Sequence, residues 1–371
     1  MIRRAAPAVA LVATWLVTTS IGPFSSTEVN DLYVYSVYAE LIRDGLVPYR
    51  DFAFEYPPLA AVPIAALGGD ETAWSLAMLA CALVCQWCVG ALSGTTAAWL
   101  MAALPVLAGA MVRTHFDLLP AALVLLALVA SAGRQRWCGA LLGAATMTKL
   151  WPLVVAPAGI FTRRGFAFLV LAILAVGLPA LAVGAWDLVD FHLRRPIQIE
   201  STPASLLFAL GGSHVTGHPV LPDEFKSNGL AGGAAGVVAP IFTGLQIATI
   251  LFFAVNARRA PLVGALGATL AFVALGKVLS PQYMLWLFPL AVSVGGLPAA
   301  LVVAATALTQ VEFPNRYFDL VAEDPAMIIV VAARNLLLLA AVAVLAIRLV
   351  KTRSTARAPA RSRPPAAAPS T

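Results

Sequence analysis

The chain has 371 residues, of which 60% are hydrophobic and 11% charged, and it carries a net charge of +6. So much apolar sequence excludes a soluble globular protein, and the length leaves no room for a separate soluble domain beside a membrane-embedded one. The positive charge does not indicate nucleic acid, because 14 of the 24 basic residues fall in short links between apolar runs or in the C-terminal tail, where they serve as orientation signals and contacts with anionic lipid.

A membrane helix needs about 20 apolar residues. The first run, residues 5–23, follows Arg3 and Arg4 and lacks a small-residue cleavage site, so it reads as an uncleaved span starting inside. Residues 24–56 then form an outer segment. Within it, 29–44 has the pattern of an amphipathic helix lying on the membrane, with Asn30 as cap and Gly45 as stop. Residues 57–67 are apolar but too short to cross and read as interfacial or re-entrant.

Spans at 72–91, 95–112 and 117–133 return the chain inside at Arg134 and Arg136. Between those arginines and Arg163/Arg164, the interruption Lys149-Leu150-Trp151-Pro152 predicts a hairpin of two short helices over 138–161, with Lys149 at its outer tip and no acidic residue within the hairpin to pair with it. A span at 166–185 leads to a second long outer segment, 186–235, and further spans are expected at 236–256, 260–278, 283–297, 298–311 and 326–349. The fold class is therefore an all-α polytopic membrane protein, with about 12 crossings and both termini cytoplasmic. Residues 1–350 form one integral membrane domain, and the Ala/Pro/Arg/Ser-rich segment 351–371 is expected to be a disordered basic cytoplasmic tail. In this topology the basic links, including Arg258/Arg259, lie inside and all 18 acidic residues lie outside.

The outer segments hold the chemistry. Asp31 opens the aromatic-rich helix containing Tyr33, Tyr35 and Tyr38; it can act as a general base or as an ordinary helix-start acid. Glu55-Tyr56-Pro57-Pro58 makes a rigid corner that presents Glu55 and Tyr56 toward the same cavity. Arg113, Lys149, His192 and Arg195, with Lys277 and the intramembrane Arg334, supply positive charge. Such charges at a membrane boundary need a partner, either the outer carboxylates or a phosphate that several can share. Cys81, Cys85 and Cys88 share a helical face but lack further ligands, so apolar packing accounts for them better than a metal or redox site. No nucleotide-binding glycine motif and no D-x-D metal motif is present, so the expected cofactor set is none and the expected metal set is none.

These pieces together resemble a family. D-L-Y-V-Y at 31–35, G-L-V-P-Y-R-D-F-A-F-E-Y-P-P-L at 45–59, T-K-L-W-P-L at 148–153, R-P-I-Q-I-E-S at 195–201 and S-P-Q-Y-M-L-W at 280–286 are similar to patches of the GT-C membrane glycosyltransferases, and most closely of glycosyltransferase family 87. The resemblance implies a GT-C-type fold and inverting, metal-independent transfer of mannose from a polyprenyl-phosphate-linked sugar donor. The acceptor would be lipid-linked or another glycan, on the outer face of the plasma membrane. It implies Asp31 as the general base, and some of Lys149, Arg195, His192 and Arg113 would then stabilise the leaving phosphate. Tyr33, Glu55, Tyr56, Trp151, Gln198, Glu200, Gln282 and Tyr283, with Trp286, would line the substrates. The implied partners are these two substrates and the surrounding membrane lipids. A transporter or flippase of a lipid-linked glycan is the competing class; it explains the spans but gives no reason for an acidic surface helix.

Overall fold

The structure is a computed structural model, and it describes residues 2–158, 160–211, 214–217, 227–231, 233–256 and 260–357. The chain starts with α1 (Ile2–Ser20), crosses a short 3-10 turn and enters α2 (Leu32–Arg43). Asp31 rather than Asn30 takes the N-cap position of α2, while Asn30 one residue earlier accepts from the Leu32 amide at 2.8 Å, and Gly45 follows the helix end with a φ of +86°. The apolar run after the Pro-Pro corner is only a 3-10 turn and the seven-residue α3 (Ala61–Leu67), too short to cross.

α4 (Glu71–Ser93) is a full-length span, capped by Asp70, whose side chain accepts from the Thr72 and Ala73 amides. The single span expected at 95–112 is instead broken into α5 (Thr95–Met101), α6 (Leu104–Ala108) and α7 (Met111–Thr114). Pro105 starts the middle piece, and Gly109 at φ +60° stops it. α8 (Leu118–Ala130) and α9 (Gln135–Thr148) follow. The predicted hairpin over 138–161 is half right: α9 is one helix, Lys149 breaks it in extended conformation, and the return arm is a 3-10 turn over 151–155 rather than a second α-helix. α10 (Arg163–Ala182) packs against α9 where Gly139 meets the backbone of Gly165 and Leu169, an approach that any Cβ would block. Close contact through small residues is what holds helices together where lipid removes the usual hydrophobic gain.

The second outer segment holds α11 (Trp186–Arg194), strand β1 (Ile197–Gln198), α12 (Thr202–Ala209), and strands β2 (His214–Gly217) and β3 (Asn228–Ala231). These strands form an antiparallel sheet in the order β1-β3-β2, with Ile197 opposite Leu230 and Val215 opposite Leu230 on the other side. The all-α expectation therefore needs a small correction, since the short runs 197–198 and 228–231 carry too little alternation to announce strands.

The remaining helices are α13 (Ala235–Asn256), α14 (Pro261–Ala274), α15 (Met284–Val294), α16 (Gly296–Glu312), α17 (Tyr317–Val321) and α18 (Pro325–Arg357). α18 continues seven residues into the expected tail, and the rest of that tail, like Arg258 and Arg259, lies outside the described residues. Among the described residues, four helices are long and apolar enough to cross a membrane: α4, α10, α13 and α18 up to Lys351. The other apolar helices are shorter, so a membrane protein is clear but 12 crossings are not established. The core runs through α4, α8, α14, α15 and α18, whereas α10 and α13 turn most of their apolar surface outward.

Candidate active site

Asp31 sits at the N-cap position of α2 with its side chain 26% exposed. Tyr35, one turn later, donates its hydroxyl to Asp31 Oδ2 at 3.2 Å, and His115 Nε2 lies 3.8 Å from the same oxygen. The His115 ring is fixed from behind, with Nδ1 3.0 Å from Thr114 Oγ1. Burial first, and the Asp31 charge second, push the Tyr35 phenol well above its ordinary value, so it remains a donor. Asp31 Oδ1 has no hydrogen bond among the described residues. The arrangement is a part-exposed carboxylate oriented through one oxygen, with the other unbonded among the described residues.

The next cluster corrects an expectation. The hairpin offers Lys149 no carboxylate of its own, but Nζ lies 2.6 Å from Oδ1 of Asp117, a residue with no exposure. The same oxygen accepts from Trp286 Nε1 at 2.6 Å. Around the ammonium stand the rings of Phe116 at 4.7 Å, Trp286 at 5.4 Å and Tyr56 at 5.9 Å. Aromatic faces and a buried carboxylate together make this position tolerable for a cation. Asp117 is two residues beyond His115 in Arg-Thr-His-Phe-Asp. The alternation within that motif is the available signal, and weighing the motif only for its positive charge passes over it.

Trp286 continues the wall. It stacks on Trp151 at 5.0 Å and on Tyr283 at 3.8 Å between ring centroids. The Tyr283 amide in turn donates to the Ser280 carbonyl at 3.0 Å, and Ser280 meets the second outer segment through Gln198. There Gln198 Nε2 donates to Glu200 Oε2 at 2.7 Å and to Ser280 Oγ at 3.0 Å. Burial, reinforced by nearby Glu312, pushes the Glu200 carboxyl well above its usual range. Arg334 and Asn335 both donate to the Glu200 backbone carbonyl. Lys277 does the same for the loop before it, with Nζ 2.7 Å from the Leu193 carbonyl and 2.8 Å from that of Arg195.

The expected site residues therefore separate. Asp31, Tyr56, Lys149, Trp151, Tyr283, Gln198 and Glu200 are linked by a chain of contacts, and Arg195 joins its far end through Lys277. Arg195 bonds Ser227 through Nη2 and packs on Phe191, while its buried Nε has no partner among the described residues. His192 is drawn toward Glu55, and burial and then Arg195 push its imidazole down to about 4, so it is uncharged near neutral pH. Arg113 does not join the site. Its guanidinium is used up by the Thr18 and Ser25 carbonyls and an ion pair with Glu71, which ties α7 to α1 and α4. Tyr33 does not join either; at 69% exposure it points away from the cluster into an open groove with Arg43 and Gly69. Gln282 is half-buried in the 3-10 turn beside Tyr283. Among the described residues no group of His, Cys, Asp and Glu could hold a metal ion.

A family model described as glycosyltransferase family 87 matches residues 54–281, more than half of the chain. Among solved structures, the crystal structure of ArnT from Cupriavidus metallidurans in the apo state is similar at 15% identity, over 95% of this chain and 78% of that one, with a TM-score of 0.40. No curated protein sequence matches.

Proposed function

The chain belongs to glycosyltransferase family 87, as a GT-C membrane glycosyltransferase, and from that premise we propose that it transfers mannose from a polyprenyl-phosphate donor to a glycan or glycolipid hydroxyl on the outer face of the plasma membrane. The observation that carries the reading is Asp31, held by Tyr35 through Oδ2, at one end of a run of aromatic side chains that leads past Lys149 to Trp286 and Tyr283. Asp31 precedes the matched span, so its role rests on this geometry. The acceptor hydroxyl gives its proton to Asp31 as its oxygen attacks the anomeric carbon from the face opposite the leaving group. The bond from that carbon to the phosphate oxygen breaks, and polyprenyl phosphate leaves with the electron pair.

Arg195 is the cation we assign to the leaving phosphate, because its buried Nε–H lacks a partner among the described residues that an anion could supply. Lys149 adds N–H donors not committed to Asp117, whereas neutral His192 spends its ring N–H on the Glu55 backbone and leaves the phosphate to the two cations. Tyr283, Trp286 and Trp151 supply ring faces for the sugar or lipid. The test is release of polyprenyl phosphate from a labelled polyprenyl-phosphate-mannose donor in reconstituted membranes. Wild type should release it only with acceptor present, and Asp31→Asn should not release it while still binding donor. Movement of intact donor across the bilayer without release would instead establish a transporter.

A further inference from the structure

A second cavity, of about 420 Å3, lies outside the wall described above. Its sides come from two distant parts of the chain, the turn over 49–55 and helix α11, with Tyr38 of α2 behind them. The turn is pre-formed. Pro48 bridges Phe52, the Tyr49 amide donates to the Phe52 carbonyl at 3.0 Å, and Asp51 Oδ2 accepts from the Val47 amide at 2.7 Å. Gly184 at φ +104° lets the chain entering α11 press against the Tyr49 carbonyl, where a side chain would be both strained and crowded.

The lining has a definite chemistry. Phe54 meets Tyr38 at 4.9 Å, Tyr49 at 5.5 Å and Phe52 at 6.2 Å, all edge to face, and half-buried Phe52 and Phe191 border the opening. Four carboxylates (Asp51, Glu55, Asp187, Asp190) stand against two guanidiniums (Arg50, Arg194), which leaves the lining with a net charge of −2. Arg50 is bound to Asp51 at 2.8 Å and Arg194 to Asp190 at 2.7 Å. Asp187 makes no ion pair among the described residues. Aromatic rings with carboxylate acceptors suit a neutral polyhydroxyl ring, whose hydroxyls donate to the carboxylates and whose C–H face packs on the rings. The excess negative charge of the lining repels a phosphate, and Arg195, which packs on Phe191 at its edge, is not itself part of the lining.

Tyr38 lines the cavity and belongs to the helix that starts at Asp31. Asp31, Tyr35 and Tyr38 share one face of α2, and the seven residues from Asp31 to Tyr38 span about 10 Å along the axis, the scale of a short saccharide. We propose that this cavity binds the acceptor's second sugar ring, the neutral ring next to the one whose hydroxyl faces Asp31. The proposal rests on the glycosyltransferase reading above and adds the acceptor class to it: a saccharide of at least two rings, uncharged at the second.

The experiment compares octyl mannoside with octyl dimannoside as acceptors for the purified protein in nanodiscs, using wild type, Phe52→Ala and the surface change Asp187→Asn. Each variant should lower kcat/KM for the two-ring acceptor about tenfold more than for the one-ring acceptor. Equal losses with both would overturn the proposal. Saturation-transfer NMR of the dimannoside separates the two readings if no transfer is seen at all. Contact at the second ring that is lost in both variants supports the cavity assignment even then, whereas contact unchanged in Phe52→Ala and Asp187→Asn refutes it. Tighter binding of a dimannoside phosphorylated on the second ring would also refute it, because the net charge of the cavity opposes it.

Discussion

Removing either partner of the Lys149–Asp117 pair should destabilise the protein more than removing both. Asp117 is fully buried and Lys149 is nearly so, with the contact at 2.6 Å. Lys149→Met leaves a carboxylate whose remaining donor is the Trp286 indole, and whose Oδ2 has no partner among the described residues. Asp117→Asn leaves an ammonium with no opposite charge beside it, held by a neutral amide oxygen and ring faces at 4.7 to 5.9 Å. Breaking a buried pair from one side costs about 3–5 kcal/mol, because an uncompensated charge remains. In the double variant no charge remains, and the amide oxygen introduced at position 117 can still accept from Trp286. The loss should then fall to about 1–2 kcal/mol, the scale of a perturbed neutral hydrogen bond. The coupling would be several kcal/mol and opposite in sign to the single losses. Thermal unfolding of the three variants in one detergent, followed by intrinsic fluorescence and by size-exclusion recovery, measures it. Losses that simply add would show that the two side chains do not act on each other, and the charge accounting for the site would fall with them.

Arg195→Ala should lower kcat/KM for the polyprenyl-phosphate-mannose donor by about tenfold to a hundredfold, from the roughly 1.5–3 kcal/mol of a charge-assisted contact; an unchanged value would remove Arg195 from the phosphate site. His192 is held below its ordinary 6.5, at about 4, so its neutral form contributes stability above 6.5 that is lost as pH falls toward 4. His192→Gln should therefore shrink the drop in melting temperature between about pH 7.5 and about pH 4.5, and an equal drop in both proteins would contradict the buried neutral ring. In a background without the four native cysteines, Asp51→Cys should react with an impermeant maleimide from outside and Arg134→Cys only from inside; labelling of both from one side would overturn the expected orientation.

Periodicity and punctuation make the long elements legible. Asp70 before α4 and Gly45 after α2 behave as their residue types require. Local breaks are harder to read, because an apolar run such as 95–112 looks continuous until Pro105 and Gly109 are weighed as stops within it. At the site, Asp31 is visible because it stands alone at the start of an aromatic helix. Arg113 misleads for the opposite reason. Sequence shows that a cation exists, but its use by the Thr18 and Ser25 carbonyls depends on contacts 95 and 88 residues away. The same distance hides Asp117 from Lys149, 32 residues apart.

The loop that carries Arg195 and Glu200 has its path written elsewhere in the chain. Lys277 holds the carbonyls of Leu193 and Arg195 from 84 and 82 residues away, and Arg334 holds that of Glu200 from 134 residues away. Each contact is made to main chain, so it is indifferent to which side chains the loop displays. Variation along 193–200 can thus alter what the loop recognises without changing its course, whereas a single change at 277 or 334 would redraw the course with every recognition residue left in place. In this molecule specificity and shape can be inherited separately, and substrate preference is free to drift on a path that is kept fixed.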